Sequence, residues 1–138
     1  MEQIANDDML KQAVGEEEYD ELATPPNAEV PKDHRLWPLI DAALREVYDP
    51  EIPGNIYELG LIYKMDISEA KDGQHDLYVE MTLTSPGCPV AQEMPGMVQG
   101  ALFPVDGVGD VDVDIVWDPP WDPSMMAETA KLQLNMFG

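Results

Sequence analysis

The spacing of apolar residues switches repeatedly along this chain, and this switching constrains the fold more than any other feature of the sequence. Helical spacing is found over 36–48 and 89–103, and alternation of apolar and polar residues over 60–67, 76–84 and 110–117. A period near 3.6 predicts an amphipathic helix, and a period of two predicts a half-buried strand. A last helix is predicted from Pro123 to about residue 136, because Asp122 suits an N-cap and Pro123 a first helical residue.

The resulting order, α-β-β-α-β-α, also predicts how the strands pair. Asp72 and Gly73 predict a turn between the first two strands, since Asp-Gly readily adopts positive φ, so these strands should form an antiparallel hairpin. A helix joins the second strand to the third, which predicts a parallel pair with a right-handed crossover. The predicted fold class is therefore α/β, a small two-layer domain whose mixed three-stranded sheet is covered by helices.

The second helix carries an internal signal for a break. Pro95-Gly96 lies inside its apolar pattern, and a proline in a helix interior costs about 3 kcal/mol. The sequence therefore predicts either a kink at this point or two short helices.

Charge is concentrated at the start of the chain. Residues 1–30 carry nine acidic residues and one lysine, a composition that buries too little apolar surface to offset the entropy lost on ordering. We therefore predict an acidic, disordered tail over 1–30 and a single domain over 31–138. A segment that docks on a partner is the alternative interpretation of the tail.

The composition of the whole chain excludes several classes of function. Its 138 residues carry 28 Asp and Glu against seven Lys and Arg, a net charge of −21. This charge repels nucleic acid backbones and anionic membranes, so neither is expected as a partner. No apolar run approaches the roughly 18–20 residues that span a bilayer, and no secretory signal is recognisable. With one cysteine, Cys88, no internal disulfide forms, and the expected location is the reducing cytoplasm.

Three proline-rich loops are predicted to meet at one end of the sheet. They precede the first strand, follow the second and follow the third, at 49–55, 84–89 and 117–121. Ligands of open α/β sheets usually bind at the carboxyl ends of parallel strands. Trp121, beside two prolines in the third loop, is expected to anchor that loop.

Cys88 lies in the central loop, directly before Pro89. The predicted helix N-terminus there would favour an anion, lower the pKa of the thiol and increase its reactivity. The alternative is an inert, buried cysteine. A cysteine nucleophile needs a histidine base within reach, but His34 and His75 are expected on the surface and away from Cys88. An enzyme is therefore not expected.

Three runs of residues resemble a known family. They are DPEIPGNIYELGLIY (49–63), MTLTSPGCP (81–89) and VWDPPWDPSMMAETAK (116–131), and the resemblance covers roughly residues 34–137. Together they resemble the SufT group of the small iron–sulfur-assembly domain family, which also includes PaaD and a eukaryotic cytosolic iron–sulfur targeting subunit. The resemblance implies an α/β iron–sulfur-assembly domain with an accessory role in maturing iron–sulfur proteins.

The resemblance also implies a site. The signature cysteine of the family falls on Cys88, the candidate for contact with iron or a cluster or for thiol transfer. The loop residues expected to support it are Asp49, Glu51, Asn55, Thr82, Thr84 and Ser85. PaaD-type members carry further downstream cysteines suited to metal, and this chain has none after Cys88.

A single thiolate limits what the site can hold, because an iron–sulfur cluster generally takes four ligands. Iron or a cluster would therefore be bound transiently, and further ligands would be needed besides one thiolate. They could come from Cys88 of a second subunit in a homodimer, from Asp49 or Glu51, from an outside thiol, or from a client. The expected partners are the iron–sulfur assembly machinery and client apoproteins. The alternative function is a metal-free adaptor that delivers clients to that machinery.

Overall fold

The structure, a computed structural model, describes residues 22–50, 52–84 and 91–137. Its helices and strands, in chain order, are α1 (Trp37–Leu44), β1 (Ile62–Glu69), β2 (His75–Met81), α2 (Met94–Leu102), β3 (Val108–Ile115) and α3 (Glu128–Phe137). The predicted order and fold class are confirmed. None of the helices in the described ranges is long and apolar enough to cross a membrane.

The three strands form one mixed sheet in the order β1-β2-β3. β1 and β2 are antiparallel, and β2 and β3 are parallel, as the connections predict. The predicted turn between β1 and β2 contains Asp72 at φ 62° and Gly73 at φ 76°. These left-handed conformations explain the Asp-Gly pair, because Gly adopts them without steric cost and Asp more readily than most residues.

One face of the sheet packs against the helices, and the other is open and polar. Alternate residues of β2 are buried, as the period of two predicts. The largest fully buried side chains of the core include Ile40, Leu44, Leu77, Val79, Met81 and Leu102. Each such side chain contributes about 1.5–3 kcal/mol by leaving water, which explains why α1 and α2 each present an apolar stripe.

All three predicted helices are shorter than expected. α1 ends at Leu44, and a separate 3₁₀ turn precedes each of α2 and α3. A 3₁₀ turn at Ala91–Glu93 precedes α2, and Pro95 lies in the first turn of α2, where its missing N–H costs nothing. The predicted break is therefore resolved as two short helices. Asp122 caps a separate 3₁₀ turn at Pro123–Met125 by accepting a hydrogen bond from Ser124 N at 2.9 Å. The single helix predicted over 123–136 is thus wrong, since α3 begins only at Glu128.

The last part of the predicted tail belongs to the folded domain. Glu29 pairs with the outer edge of β1, since its N–H donates to Tyr63 O at 3.0 Å and its carbonyl accepts from Met65 N at 2.9 Å. Ala23 is fully buried, and its carbonyl accepts a hydrogen bond from Arg45. The predicted boundary at residue 30 therefore falls inside a packed segment, because backbone pairing at a sheet edge leaves no trace in composition. Residues 1–21 lie outside the described residues, and their disorder stays a prediction.

The two histidines lie together rather than separately on the surface. His75 opens β2 and is 8% exposed, so its predicted surface location is wrong. It occupies an inward position of β2, and the His34 ring packs edge-on against it with 5.1 Å between centroids. His34 is half-buried, and its Nδ1 accepts a hydrogen bond from Leu36 N.

Candidate functional site

The candidate site lies at the end of the sheet where β1 begins and β2 and β3 end, which we call the loop end. Backbone pairing continues here beyond the strands, with Thr82 N donating to Leu61 O at 2.9 Å and Val116 N donating to Met81 O at 2.8 Å. The chain segments before β1, after β2 and after β3 are therefore held side by side. This is the end of the sheet at which the three loops were predicted to meet.

Asp49 connects the first of these loops to the second. The loop is a tight turn in which Asp49 N donates to Gly54 O at 3.2 Å and Ile52 N donates to Asp49 Oδ1 at 2.9 Å. The other carboxylate oxygen accepts a hydrogen bond of 3.2 Å from Thr84 Oγ1. Asp49 thus both caps its own turn and contacts the end of β2, so the predicted proximity of Asp49 and Thr84 is confirmed.

Three of the predicted site residues lie outside the described residues: Glu51, Ser85 and Cys88. The described chain stops at Thr84 and resumes at Ala91. The role of Cys88, its low thiol pKa and its distance from the carboxylates therefore stay predictions. Among the residues that are described, no group of three or more His, Asp and Glu side chains could hold a metal ion.

A β-bulge at Tyr63 shapes the loop end. The pairing of β1 with β2 shifts by one residue between Ile62 and Lys64, and a bulge of this kind redirects the side chain of the extra residue. The Tyr63 hydroxyl donates to Pro119 O in the third loop at 2.7 Å. Burial raises the pKa of this hydroxyl, and the neighbouring Thr82 hydroxyl partly offsets that increase. Thr82 itself is fully buried at the end of β2.

Asn55 holds the turn between the first loop and β1. Its Oδ1 accepts from Glu58 N and its Nδ2 donates to Glu58 Oε2, both at 2.8 Å. These bonds close the turn that leads into β1. The side chain is buried, and its predicted supporting role in the site stays a prediction.

Glu58 is the centre of a buried polar network. It is 4% exposed and accepts hydrogen bonds from Arg45 Nη1 at 2.7 Å and from the Thr129 hydroxyl of α3. Burial opposes the charge of Arg45, but attraction to Asp41 and Glu58 outweighs it and raises the pKa of the guanidinium. The guanidinium also lies 5.0 Å from the centroid of the Tyr57 ring. The network therefore joins α1, the turn before β1 and α3.

The sequence matches a family model described as "iron-sulfur cluster assembly protein" over residues 39–115. The chain belongs to this iron–sulfur cluster assembly family. The match contains Asp49, Thr82, Thr84 and Cys88, so the resemblance inferred from the three runs of residues is confirmed.

Two curated relatives of this family member carry related names. The chain is 46% identical over 92 residues to a Porphyromonas gingivalis "Fe-S protein maturation auxiliary factor", with 67% of this chain and 84% of that protein covered. It is 39% identical over 90 residues to the Staphylococcus aureus "Fe-S protein maturation auxiliary factor SufT", with 65% of this chain and 98% of that protein covered.

A solved structure supports the fold assignment of the family member. A crystal structure of a Bacillus anthracis domain of unknown function is similar to it with a TM-score of 0.60 and 34% sequence identity. The similarity covers 72% of this chain and 91% of that one. The α/β fold with a mixed sheet is thus shared with a solved relative.

The third loop of this iron–sulfur assembly protein is anchored as predicted. The Trp121 indole N–H donates to Leu59 O at 2.8 Å. A cavity of about 240 Å³ lies between this loop and the open face of the sheet, and its lining includes Tyr63, Glu80 and Pro119. Two aromatic side chains remain exposed in segments that flank the loop end, Tyr48 at 48% and Trp117 at 49%.

Sequence reasoning missed Tyr63, Glu58 and Arg45. One signal could have identified Glu58, since it is the only charged residue in the otherwise apolar run from Ile56 to Ile62. A lone carboxylate in such a run is almost never fully buried without a partner, so it predicts a pair. The bulge at Tyr63 had no comparable signal.

Proposed function

We propose that this protein is an accessory factor in the maturation of iron–sulfur proteins and that it acts through Cys88. Its relatives from Porphyromonas gingivalis and Staphylococcus aureus bear the name of such a factor. The expected partners are the assembly machinery and client apoproteins in a reducing compartment, where a lone thiol stays reduced.

The proposal rests on one observation, which is the hydrogen bond that Thr84 donates to Asp49. Thr84 is the last described residue before the segment that contains Cys88, and Asp49 comes from a separate loop. The bond holds a carboxylate where the chain enters the Cys88 segment. Thiolates and carboxylates both serve as iron ligands, so this pairing suits contact with iron.

The ligand set supports transfer rather than storage of the cargo. Cys88 is the only cysteine, whereas an iron–sulfur cluster generally takes four ligands. Iron or a cluster held by Cys88 and Asp49 alone would keep open coordination positions. A second subunit or the ligands of a client apoprotein would fill them, and filling by the client completes the transfer.

The location of the histidines argues against a catalytic role for Cys88. A cysteine nucleophile needs a base within hydrogen-bond distance. Both histidines lie at the His75 end of β2, and the seven residues of this strand span roughly 20 Å, at about 3.3 Å per residue, before the loop end is reached. Neither histidine can therefore act as a base at the end of β2 that leads to Cys88.

We expect Cys88→Ala to abolish the visible absorbance that the wild-type protein gains on anaerobic reconstitution with ferrous iron and sulfide, because the variant has no thiol. Absorbance, bound iron and size-exclusion chromatography of both proteins test this result. A dimer that forms only with wild-type protein and iron would identify a bridge through two thiolates. Equal absorbance and iron content in the two proteins would contradict the proposal.

We expect Asp49→Asn to weaken iron retention about tenfold, in the range observed for residues that support metal ligands. Asparagine keeps an oxygen for Ile52 N, so the turn should survive and the thermal stability should change little. Asp66→Asn is the matched control, since Asp66 is exposed on β1 and the charge change is identical. Equal iron retention in the two variants, measured by competition with a chelator, would remove Asp49 from the site.

A metal-free adaptor is the second candidate function, and the exposed aromatics favour it. Tyr48 and Trp117 flank the loop end, and aromatic side chains are enriched in protein interfaces. An adaptor would bind a client equally well with Cys88→Ala and lose binding with Trp117→Ala. A transfer factor would keep client binding in Cys88→Ala but lose the ability to load the client with iron.

A further inference from the structure

Among residues 22–50, 52–84 and 91–137, nothing pairs as a strand with the outer edge of β3. β3 is the last strand of the sheet, and Val116 N donates to Met81 O of β2. Because backbone direction alternates along a strand, Val111, Val113 and Ile115 direct their N–H and C=O groups outward. Within the described ranges, one of these groups has a partner, Val111 O, which accepts from Gln99 Nε2 at 3.1 Å.

An apolar groove of about 590 Å³ runs beside this edge, between α2 and β3. It is lined by Gln99, Gly100, Phe103, Pro104, Asp110 and Val111. Phe103, the residue that follows α2, is 65% exposed, and Met97 of α2 is 45% exposed. Val113 and Ile115 are only half-buried on this side, although both contact the core. An apolar surface therefore adjoins the free backbone groups.

The opposite side of the same strand is acidic. Asp110, Asp112 and Asp114 alternate with the apolar residues of β3 and are all exposed. Glu80 of β2 adds a fourth carboxylate, and the Tyr78 hydroxyl lies 2.9 Å from both Glu80 Oε2 and Asp114 Oδ2. Hydrogen bonds to Asp114 and Glu80 raise the pKa of Tyr78. This surface favours positively charged groups.

We propose that the outer edge of β3 binds an extended segment of a partner protein in which Lys or Arg side chains alternate with apolar ones. The backbone of the segment pairs with Val113 and Ile115 as a fourth strand. Its basic side chains lie beside Asp112 and Asp114, because neighbouring side chains of paired strands project from the same face of the sheet. Its apolar side chains contact Phe103 and cover the groove.

Charge distinguishes this partner from two other occupants. A second copy of the chain would place its own row of Asp110, Asp112 and Asp114 beside this one, and like charges across a strand pair are destabilising. Residues 1–21 of the same chain carry eight acidic residues and one lysine, so they have the same sign as the edge. A basic segment of another protein is the occupant that the edge attracts.

At the other edge of the sheet, a residue of the same chain pairs with β1 through an isolated bridge. Glu29 pairs in parallel with Lys64 of β1 and covers part of that edge. The acidic residues on β3 are also a means by which natural proteins prevent association of edges between identical chains. A basic partner would overcome this barrier selectively.

The test uses the full chain and a labelled peptide, acetyl-Lys-Val-Lys-Val-Lys-Val-amide. Saturable binding at low salt is expected, together with about tenfold slower hydrogen exchange at the Val113 and Ile115 amides, because these become hydrogen-bonded. The Asp112 amide, which faces β2, should be unaffected. A peptide of the same composition in two blocks, three lysines followed by three valines, is the control for alternation and should bind more weakly. Absence of saturable binding, unchanged exchange at Val113 and Ile115, or equal binding of the two peptides would overturn the proposal.

Protein variants separate specific pairing from attraction to a negatively charged protein. Asp112→Asn combined with Asp114→Asn should weaken peptide binding about tenfold, since the removed charges lie opposite the lysines. Asp33→Asn combined with Glu46→Gln is the matched control, because both residues are exposed and the charge change is the same. Equal weakening in the two double variants would show that net charge alone attracts the peptide, and the proposal would be wrong.

Discussion

Replacement of Glu58 by glutamine is expected to lower the free energy of unfolding by about 3 kcal/mol, because it removes the buried carboxylate of the ion pair with Arg45 and leaves Arg45 with only its more exposed partner Asp41. Glu58 is buried, and its carboxylate accepts hydrogen bonds from Arg45, Asn55 and Thr129. The amide of glutamine offers one acceptor oxygen in place of two. At least one of these donors therefore loses its bond to residue 58, and leaving a buried donor without a partner costs about 1–3 kcal/mol.

Urea unfolding followed by circular dichroism measures this loss. Asp41→Asn is the control, since Asp41 also binds Arg45, at 2.8 Å, but is a more exposed i,i+4 partner. Such pairs contribute about 0.3–0.5 kcal/mol, so the control should remain close to wild type. Equal losses in the two variants would show that Glu58 contributes no more than a surface pair, contrary to the network described above.

The Glu58 network also connects stability to the candidate site. Glu58 and Asn55 close the turn that leads directly into β1, and the loop at Asp49 lies immediately before this turn. Ala127 N donates to Glu58 O at 2.7 Å, which fixes the start of α3 against the same turn. The loop end is therefore held by a buried scaffold rather than by its own exposed contacts.

The sequence could predict the features that depend on local spacing. The alternation of apolar and polar residues over 76–84 indicates which residues of β2 face the core, because successive side chains of a strand point to opposite faces. The strand directions followed from the Asp-Gly turn and from the helix between the second and third strands, and they placed Asp49 near Thr84. These predictions required no knowledge of which distant residues are in contact.

The features that were missed depend on contacts between distant segments. Arg45 and Glu58 pair across 13 positions, and neither residue alone indicates its partner. The bulge at Tyr63 depends on the register between two strands. The spacing of apolar residues along one strand does not predict that register. His75 was placed on the surface because the second strand was predicted to begin at residue 76, which left His75 in the turn. The strand begins at His75, and this residue takes an inward position.

Gly60→Ala is expected to lower the free energy of unfolding by about 4 kcal/mol, the largest effect of any substitution considered for this protein. Gly60 has φ +82°, which strains any residue with a side chain. A Cβ at this position would also lie 2.4 Å from the carbonyl oxygen of Met125. The backbone on both sides is fixed, since Leu59 O accepts from the Trp121 indole and Ala127 N donates to Glu58 O. The clash therefore cannot be relieved by a side-chain rotation.

Gly100→Ala is the control that separates this clash from a general effect of replacing glycine. Gly100 lies in α2, and a Cβ there would meet no atom within 4 Å outside the adjacent residues and backbone of the helix itself. Alanine at such a helical position is expected to raise the free energy of unfolding by about 0.5–1 kcal/mol. Opposite signs for the two substitutions in urea unfolding would support the close approach of Gly60 to Met125. A loss below about 1 kcal/mol for Gly60→Ala, the size of an ordinary backbone adjustment, would show that the segment at Met125 moves freely and that the third loop is not fixed at this point.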